Sequence, residues 1–376
     1  MIAQQRLNDL RTQMQQHDLD AFIAMSADPH MSEYLPEYWQ VRLWLTGFTG
    51  SVGIVVVTQD FAGLWVDGRY WVQAEQQLEN TGFVLQKQTT EPTSTHLAWF
   101  AQNLPLHATI SVNGQTLSVQ QFEALNQIAQ QHQFTIQTPF DIINEIWTDR
   151  PALPQEVVWQ MANGLNAQTR LEKLSLIRST LNTKNASAHF ISALDDIAWI
   201  LNCRGQDVEY NPVFLAHLFI DTSRTVLFID DIKLSKELHQ LLAQDQITVL
   251  PYTQTEFFLS QLSQQHVLID PAKVSILHTQ SIQKNNQLVQ DINPSTLFKS
   301  RKHATEITHI RNAMTKDGVA LSHFFYWLET ALTQNQPINE LTIDEKITAF
   351  RAEQVGFIGL SFSTIAGFNA NGALPH

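Results

Sequence analysis

Short apolar runs alternate with stretches of helical periodicity over the first 155 residues. The apolar runs at residues 21–25, 52–57 and 63–66 are bounded by Gly and Asp, and this arrangement predicts β-strands. Residues 70–78 and 95–104 have helical spacing, and shorter extended segments are predicted at residues 83–85 and 109–112. Strands that alternate with helices predict a layered α/β domain.

Two prolines, Pro151 and Pro154, interrupt this pattern. Because clustered prolines disfavour both helix and sheet, we place a domain boundary near residue 155. The alternation then resumes. Apolar runs at residues 217–220 and 225–229 flank a polar segment, which predicts a β-hairpin. The sequence therefore predicts a second α/β unit over residues 156–299.

The last part of the chain has a different pattern. Apolar positions from residue 303 onward follow helical spacing, which predicts a long amphipathic helix. A second helix is predicted near Thr342, where Thr342 and Glu345 have the spacing of a capping box. Residues 357–362 predict a buried strand. Because a single strand would leave both edges unpaired, we expect the unit at residues 300–376 to be incomplete.

Composition narrows the function classes. The 376 residues are 44% hydrophobic and 16% charged, which is typical of a globular protein and not of a disordered one. The net charge of −13 disfavours a nucleic-acid partner, because such a surface repels phosphates. Cys203 is the single cysteine, so no intrachain disulfide can form. No signal peptide or long apolar run is present, and we expect a cytoplasmic protein without a membrane partner.

No self-sufficient catalytic motif is found in the sequence. It has no His-Glu-x-x-His motif, no Cys-x-x-Cys pair, no Walker loop and no Gly-x-Ser-x-Gly elbow. The 14 histidines are scattered, without a metal-ligand spacing. The acidic pairs Asp195-Asp196 and Asp230-Asp231 are interpreted as turn or cap residues. The residues alone therefore predict no complete active site.

Three polar clusters follow predicted strands, where α/β domains place their sites. They lie at residues 28–34, 47–53 and 65–70. The first is equally typical of a turn and a helix cap. The second has glycines that allow a tight turn and close backbone approach. In the third, Arg69 has two alternatives, to clamp a carboxylate or carbonyl or to pair with Asp67.

These clusters, in this order, resemble the first domain of the aminopeptidase P family in the creatinase/prolidase superfamily. Residues 194–214, 302–320, 359–367 and 371–376 resemble later blocks of the same family. The resemblance implies an α/β fold with two creatinase-like N-terminal domains, at residues 1–155 and 156–299. The incomplete start of a pita-bread (α+β) catalytic domain would follow at residues 300–376.

The resemblance also implies a function. Xaa-Pro aminopeptidases release the N-terminal residue from peptides with proline at position two. The family uses two divalent metal ions, usually manganese, bound by two Asp, one His and two Glu. These ligands lie beyond residue 376 in the family, so we expect no metal ligand in this chain and no activity from it alone. Proline-containing peptides are the implied partners, together with a second copy of the chain in a homodimer.

Two site residues are implied by matching positions. His376 matches a family histidine that stabilises the transition state and contacts substrate, and Arg69 matches an arginine that reaches the substrate. Pro375 departs from the family pattern and removes a backbone donor beside His376. Two alternatives stay open. One is a non-catalytic creatinase-like module for peptide binding or dimerisation, and the other is creatinase or prolidase proper.

Overall fold

Six strands of the first 137 residues form one mixed sheet. The computed structural model describes residues 2–162 and 164–373. The sheet order is β4-β3-β2-β1-β5-β6, and the central strand β1 is antiparallel to β2 and parallel to β5. The strands are β1 Ala21–Ala24, β2 Ile54–Thr58, β3 Ala62–Val66, β4 Val84–Lys87, β5 Thr109–Val112 and β6 Thr135–Gln137.

Helices cover both faces of this sheet, because its strands are apolar on both sides. One core contains Phe22 and Val55, and the other contains the alternate residues Ile23 and Val56. The helices are α1 Ile2–Gln16, α2 Val41–Thr46, α3 Trp71–Gln77, α4 His96–Asn103, α5 Val119–His132 and α6 Ile143–Ile146.

A second six-stranded sheet follows, in the order β12-β11-β10-β8-β13-β14. Its strands are β8 Ala188–Ile191, β10 His217–Asp221, β11 Thr225–Phe228, β12 Ile247–Leu250, β13 His266–Ile269 and β14 Gln287–Gln290, and β7 Trp159–Gln160 pairs separately with β9 Cys203–Arg204. The helices of this part are α7 Arg170–Thr183, α8 Leu194–Leu201, α9 Lys236–Gln244, α10 Thr255–Gln261, α11 Ile276–Gln283 and α12 Pro294–Ser300. The hairpin predicted around residues 217–229 is confirmed as β10 and β11.

The two sheets have the same topology. In each, the first strand lies third from one edge, antiparallel to the second strand and parallel to the fifth. The remaining neighbours also match in direction. The repeated arrangement supports an internal duplication.

The two α/β domains exchange backbone and side-chain contacts symmetrically. Ser118 and Ser275, which cap α5 and α11, form an antiparallel bridge across the domains. Val119 N donates to Val274 O at 3.1 Å, and Ile276 N donates to Leu117 O at 2.9 Å. Val119 packs in the core of the second domain, whereas Ile276 packs in the core of the first. The domains therefore form one compact unit, which spans the chain to Gln160 and Arg170–Lys299.

Residues 161–169 and the chain from Ser300 onward form a second compact unit. It contains α13 Ala304–Thr333 and α14 Glu340–Ala352, which are joined by an ion pair between Arg351 Nε and Asp317 Oδ1 at 2.7 Å. The capping box predicted at Thr342 is wrong. The helix begins earlier, and Asn339 Oδ1 accepts from Thr342 N at 2.8 Å. The domain boundaries near residues 155 and 299 stay predictions.

The strand predicted at residues 357–362 is also wrong. This segment is neither helix nor strand, and Ile358 and Phe362 are more than half exposed. Among the described residues no strand lies beside it, so its backbone groups cannot form the hydrogen bonds of a β-sheet. Apolar sequence alone does not make a strand when no sheet edge is available.

We expect chymotrypsin to cut the native chain first at Phe362 and Phe368, because both side chains are exposed on non-helical backbone. Mass spectrometry of early digestion products measures the order of cleavage. Phe190 and Phe228, fully buried in the second sheet, serve as internal controls. Early cuts at these two positions, with Phe362 intact, would contradict the structure.

Candidate substrate-facing site and interdomain cluster

Arg69 lies in the turn after β3, where Asp67 holds it in a fixed position. Asp67 Oδ1 accepts from Arg69 N and Arg69 Nε, both at 3.0 Å, and Asp67 Oδ2 accepts from Nη2 at 2.9 Å. The hydrogen bonds that the Arg69 side chain donates to Asp67 raise the pKa of Arg69. The Arg69 side chain is 46% exposed, so this pair contributes little to stability. It orients a guanidinium that solvent can reach.

Tyr70 links this turn to the loop at residues 47–53, which we call the glycine loop. Tyr70 is buried, and its Oη lies 2.7 Å from Ser51 Oγ. Its ring packs edge-on against Phe48, with centroids 5.7 Å apart. Arg69 Cζ lies 5.2 Å from the centre of the Tyr70 ring. The turn that carries Arg69 and the glycine loop therefore form one surface.

The glycine loop depends on two of its glycines. Gly47 ends α2 in the left-handed region, with φ of 76°. At Gly50, a Cβ would lie 2.7 Å from Phe48 Cε1 and 2.8 Å from Tyr70 Cδ1, which is closer than carbon atoms approach. The Phe48 and Tyr70 rings therefore pack directly against the backbone at Gly50, which is the close approach that the glycine permits.

Arg42 supports the glycine loop from inside the domain. It is buried, and its Nε donates to Ser26 Oγ at 2.8 Å while Nη1 donates to Phe48 O at 2.8 Å. Nη2 donates to Gly50 O. Within residues 2–162 and 164–373 no carboxylate forms an ion pair with Arg42. Burial lowers the pKa of Arg42 to about 10, so it stays charged at neutral pH.

The sequence analysis missed Arg42. The sequence did contain one signal. Arg42 is the single charged residue of the helix Val41–Thr46, whose other residues are mostly apolar. A cation that is retained on a buried helix requires polar partners. Here those partners are three oxygen atoms of neighbouring segments.

The polar cluster at residues 28–34 forms a buried turn that reaches the second domain. Asp28 Oδ1 accepts from His30 N at 2.9 Å and from Ser32 N at 3.0 Å, so the turn interpretation is confirmed. The His30 ring extends across the domain boundary, where Nδ1 lies 2.8 Å from Ser192 O and Nε2 lies 2.9 Å from Tyr252 Oη.

His30 joins two further buried histidines, His217 of β10 and His278 of α11. The His30 and His217 rings stack with centroids 4.5 Å apart. The His217 and His278 rings pack edge to face, with an interplanar angle of 71° and centroids also 4.5 Å apart. All three side chains are at most 3% exposed. We call these three residues with Tyr252 the histidine cluster. No spacing in the sequence indicated it, because the three histidines come from distant segments.

The described residues offer no site for a metal ion. Among residues 2–162 and 164–373, no group of three or more His, Cys, Asp or Glu side chains is placed to hold one. His376 lies outside the described residues, so its role stays a prediction. In the same part of the chain, no helix combines the length and apolarity needed to span a bilayer.

We expect Gly50→Ala to lower the free energy of unfolding by about 1–3 kcal/mol, because the new methyl group must displace the Phe48 or Tyr70 ring. Gly68→Ala is the matched control, since the nearest atom to its Cβ is 3.9 Å away in Trp71. Urea unfolding of both variants measures the difference. Equal stability of the two variants would show that the rings do not confine Gly50.

Two family models match the chain side by side. Both are described as the creatinase/prolidase N-terminal domain, and they cover residues 6–146 and 149–306. They coincide with the two α/β domains that share one topology. The α/β fold with two creatinase-like domains is therefore shown.

Curated relatives match nearly the whole chain. A Laccaria bicolor protein named "Probable Xaa-Pro aminopeptidase P" is 34% identical over 99% of this chain, and Xaa-Pro aminopeptidase 1 of Dictyostelium discoideum is 32% identical over 99%. The chain spans 59% and 61% of the length of these two relatives.

One solved structure matches every part of the chain. It is the X-prolyl aminopeptidase from Caenorhabditis elegans, described as a cytosolic enzyme with a di-nuclear active site. The TM-score is 0.94 at 28% identity, over 100% of this chain and 64% of that protein. The two domain models show that the chain belongs to the creatinase/prolidase family, and the curated relatives and the solved structure to which it is similar are Xaa-Pro aminopeptidases.

Proposed function

We propose that this chain acts in a Xaa-Pro aminopeptidase, which hydrolyses the bond between an N-terminal residue and a proline at position two. The observation that carries the proposal is the likeness to the C. elegans enzyme, which extends over the whole chain at a TM-score of 0.94. In this proposal residues 300–376 open a pita-bread domain, the enzyme is a cytoplasmic homodimer, and its substrates are proline-containing peptides.

The metal pair of that enzyme does not fit the described residues of this chain. Two divalent ions, manganese by the family resemblance, would need a ligand group that residues 2–162 and 164–373 do not form. The proposal therefore gives these residues the binding and orientation of substrate, and it assigns them no step of bond cleavage. His376 stays the candidate for contact with substrate during the reaction.

Arg69 is the described residue with the clearest part in substrate binding. Its guanidinium donates from Nε and Nη2 to Asp67 and remains half exposed, so Nη1 and the second hydrogen of Nη2 can donate to a peptide carboxylate or carbonyl. The glycine loop supports this turn through Tyr70, and Arg42 fixes the loop through Phe48 O and Gly50 O. We propose that Arg42 positions the surface on which Arg69 meets the peptide.

A fusion tests the proposed activity. Residues 1–299 of this chain would replace the corresponding part of the C. elegans enzyme, and release of arginine from Arg-Pro-Pro would be measured with manganese. We expect release that a chelator abolishes, and no release from Arg-Ala-Ala. The unfused chain is expected to release none, because its described residues form no metal-holding group.

An inactive fusion that is folded and loaded with metal would contradict the proposal and favour a non-catalytic module. Cleavage of Arg-Ala-Ala at the same rate would remove the specificity for proline. Chelator-sensitive arginine release by the unfused chain would refute the expectation that it is inactive alone.

Within the active fusion, we expect Arg69→Ala to raise KM by roughly 10-fold or more, the equivalent of a lost charge-assisted hydrogen bond. Metal content and thermal stability should not change, because Arg69 is exposed. Arg224→Ala is the matched control, since Arg224 pairs with Asp221 in an exposed turn of the second domain. Equal KM values for the two variants would mean that Arg69 only pairs with Asp67.

A further inference from the structure

The histidine cluster has no part in the proposed substrate binding, yet its three histidines are almost fully buried where the two domains meet. His30 comes from the first domain, whereas His217, His278 and Tyr252 come from the second. Phe190 packs on His217 and His278 and closes the cluster on another side. In the closed joint the His30 residue is 1% exposed.

The hydrogen bonds of His30 assign it one neutral tautomer. Ser192 O can only accept, so Nδ1 of His30 carries the hydrogen. Nε2 is then the acceptor for the hydroxyl of Tyr252. A second proton would occupy Nε2, where Tyr252 now donates. Protonation of His30 therefore reverses this bond, because Nε2–H would donate to Tyr252 Oη and the tyrosine hydrogen would need another acceptor.

The other two histidines are held in the same neutral state. His217 Nδ1 lies 3.1 Å from Ser192 Oγ, and His278 Nδ1 lies 2.9 Å from Ser275 Oγ. Neither hydroxyl carries a charge that would favour an imidazolium. With ring centroids 4.5 Å apart, a charge on one ring opposes a charge on the next.

The surrounding charged groups do not compensate for a proton on the cluster. The groups that face it are Asp28, Asp207, Lys233 and Glu256. Asp207 is already paired with Lys233 at 2.7 Å, and Glu256 accepts from Gln115. Asp28 is fully buried, and burial raises the pKa of its carboxyl, which disfavours a fixed negative charge there.

We propose that the histidine cluster makes the joint between the two domains sensitive to acid: the rings hold the domains together while they are uncharged, and their protonation releases the first domain from the second. The symmetric exchange of Val119 and Ile276 keeps the joint closed at neutral pH. Apart from Val119 and Ile276, the buried residues of each core come from a single domain, so the domains can separate once these two side chains leave the opposite core.

The lowered pKa values of the three histidines determine how the stability of the closed joint changes with pH. Burial lowers the pKa of His30 and of His278 to about 3 and that of His217 well below its usual range, against about 6.5 when exposed. The closed joint is therefore fully stabilised above pH 6.5, and this stabilisation is lost as the pH falls from 6.5 toward 3. Opening takes up as many as three protons.

Small-angle X-ray scattering of the full chain, with far-UV circular dichroism at each pH, tests the proposal. We expect the radius of gyration to rise between pH 6.5 and 3 while the dichroism keeps its native value. We define the opening constant as the equilibrium ratio of chains with separated domains to chains with closed domains. Its logarithm should fall by nearly three for each pH unit of increase, because opening takes up nearly three protons. A single transition seen equally by both probes would overturn the proposal.

Two variants should act in different ways. His217→Phe keeps a ring in the stack and removes one titrating group, so the slope should fall by about one proton and the midpoint should move to lower pH. Tyr252→Phe removes only the hydroxyl that joins His30, so the opening constant should rise roughly fivefold with its slope unchanged, the equivalent of one hydrogen bond.

His189→Gln is the matched control, because His189 is equally buried but bonds to Leu268 O inside the second domain. We expect it to leave the midpoint and slope of opening unchanged. If His217→Phe opens with the slope and midpoint of the parent chain, or if His189→Gln shifts opening as His217→Phe does, the cluster is not the acid sensor. If His217→Phe does not fold, the Tyr252→Phe result alone still decides, since an unchanged opening constant overturns the proposed joint.

Discussion

The contact between the two α/β domains buries polar side chains without charge, beside the backbone bonds and the exchanged apolar residues Val119 and Ile276. His30 inserts into the second domain, and each nitrogen of its ring meets a neutral oxygen atom. A neutral imidazole loses little on leaving water when both nitrogens are bonded, whereas an imidazolium in the same place would be costly. The relative placement of the two sheets therefore depends on the protonation state of a few rings.

At the glycine loop of the first domain, by contrast, a charged side chain is buried. Arg42 keeps its charge when buried, and backbone carbonyls and one hydroxyl replace the missing carboxylate. Such a guanidinium joins the glycine loop to the segment that carries Ser26, because its donors point in fixed directions. The loop supports the exposed turn in which Arg69 pairs with Asp67, and solvent reaches the Arg69 guanidinium there.

Much of the fold was predictable from sequence, because strands and helices of the first two domains have clear apolar periods. The predictions were wrong where the local structure depends on neighbouring segments. Residues 357–362 are apolar but have no strand beside them among the described residues, and Asn339 replaced Thr342 as the cap of α14. Arg69 could be proposed from its motif. The histidine cluster could not, since its members converge only through the contact between two duplicated domains.

Nitrogen-detected NMR of ¹⁵N-histidine-labelled chain tests the neutral joint most directly. The ring nitrogens of His30 report both tautomer and charge, and His30→Gln assigns the signal. We expect His30 to be neutral at pH 7 with its hydrogen on Nδ1, and to remain neutral at pH 5. A doubly protonated His30 at pH 6 in the closed chain would contradict this account.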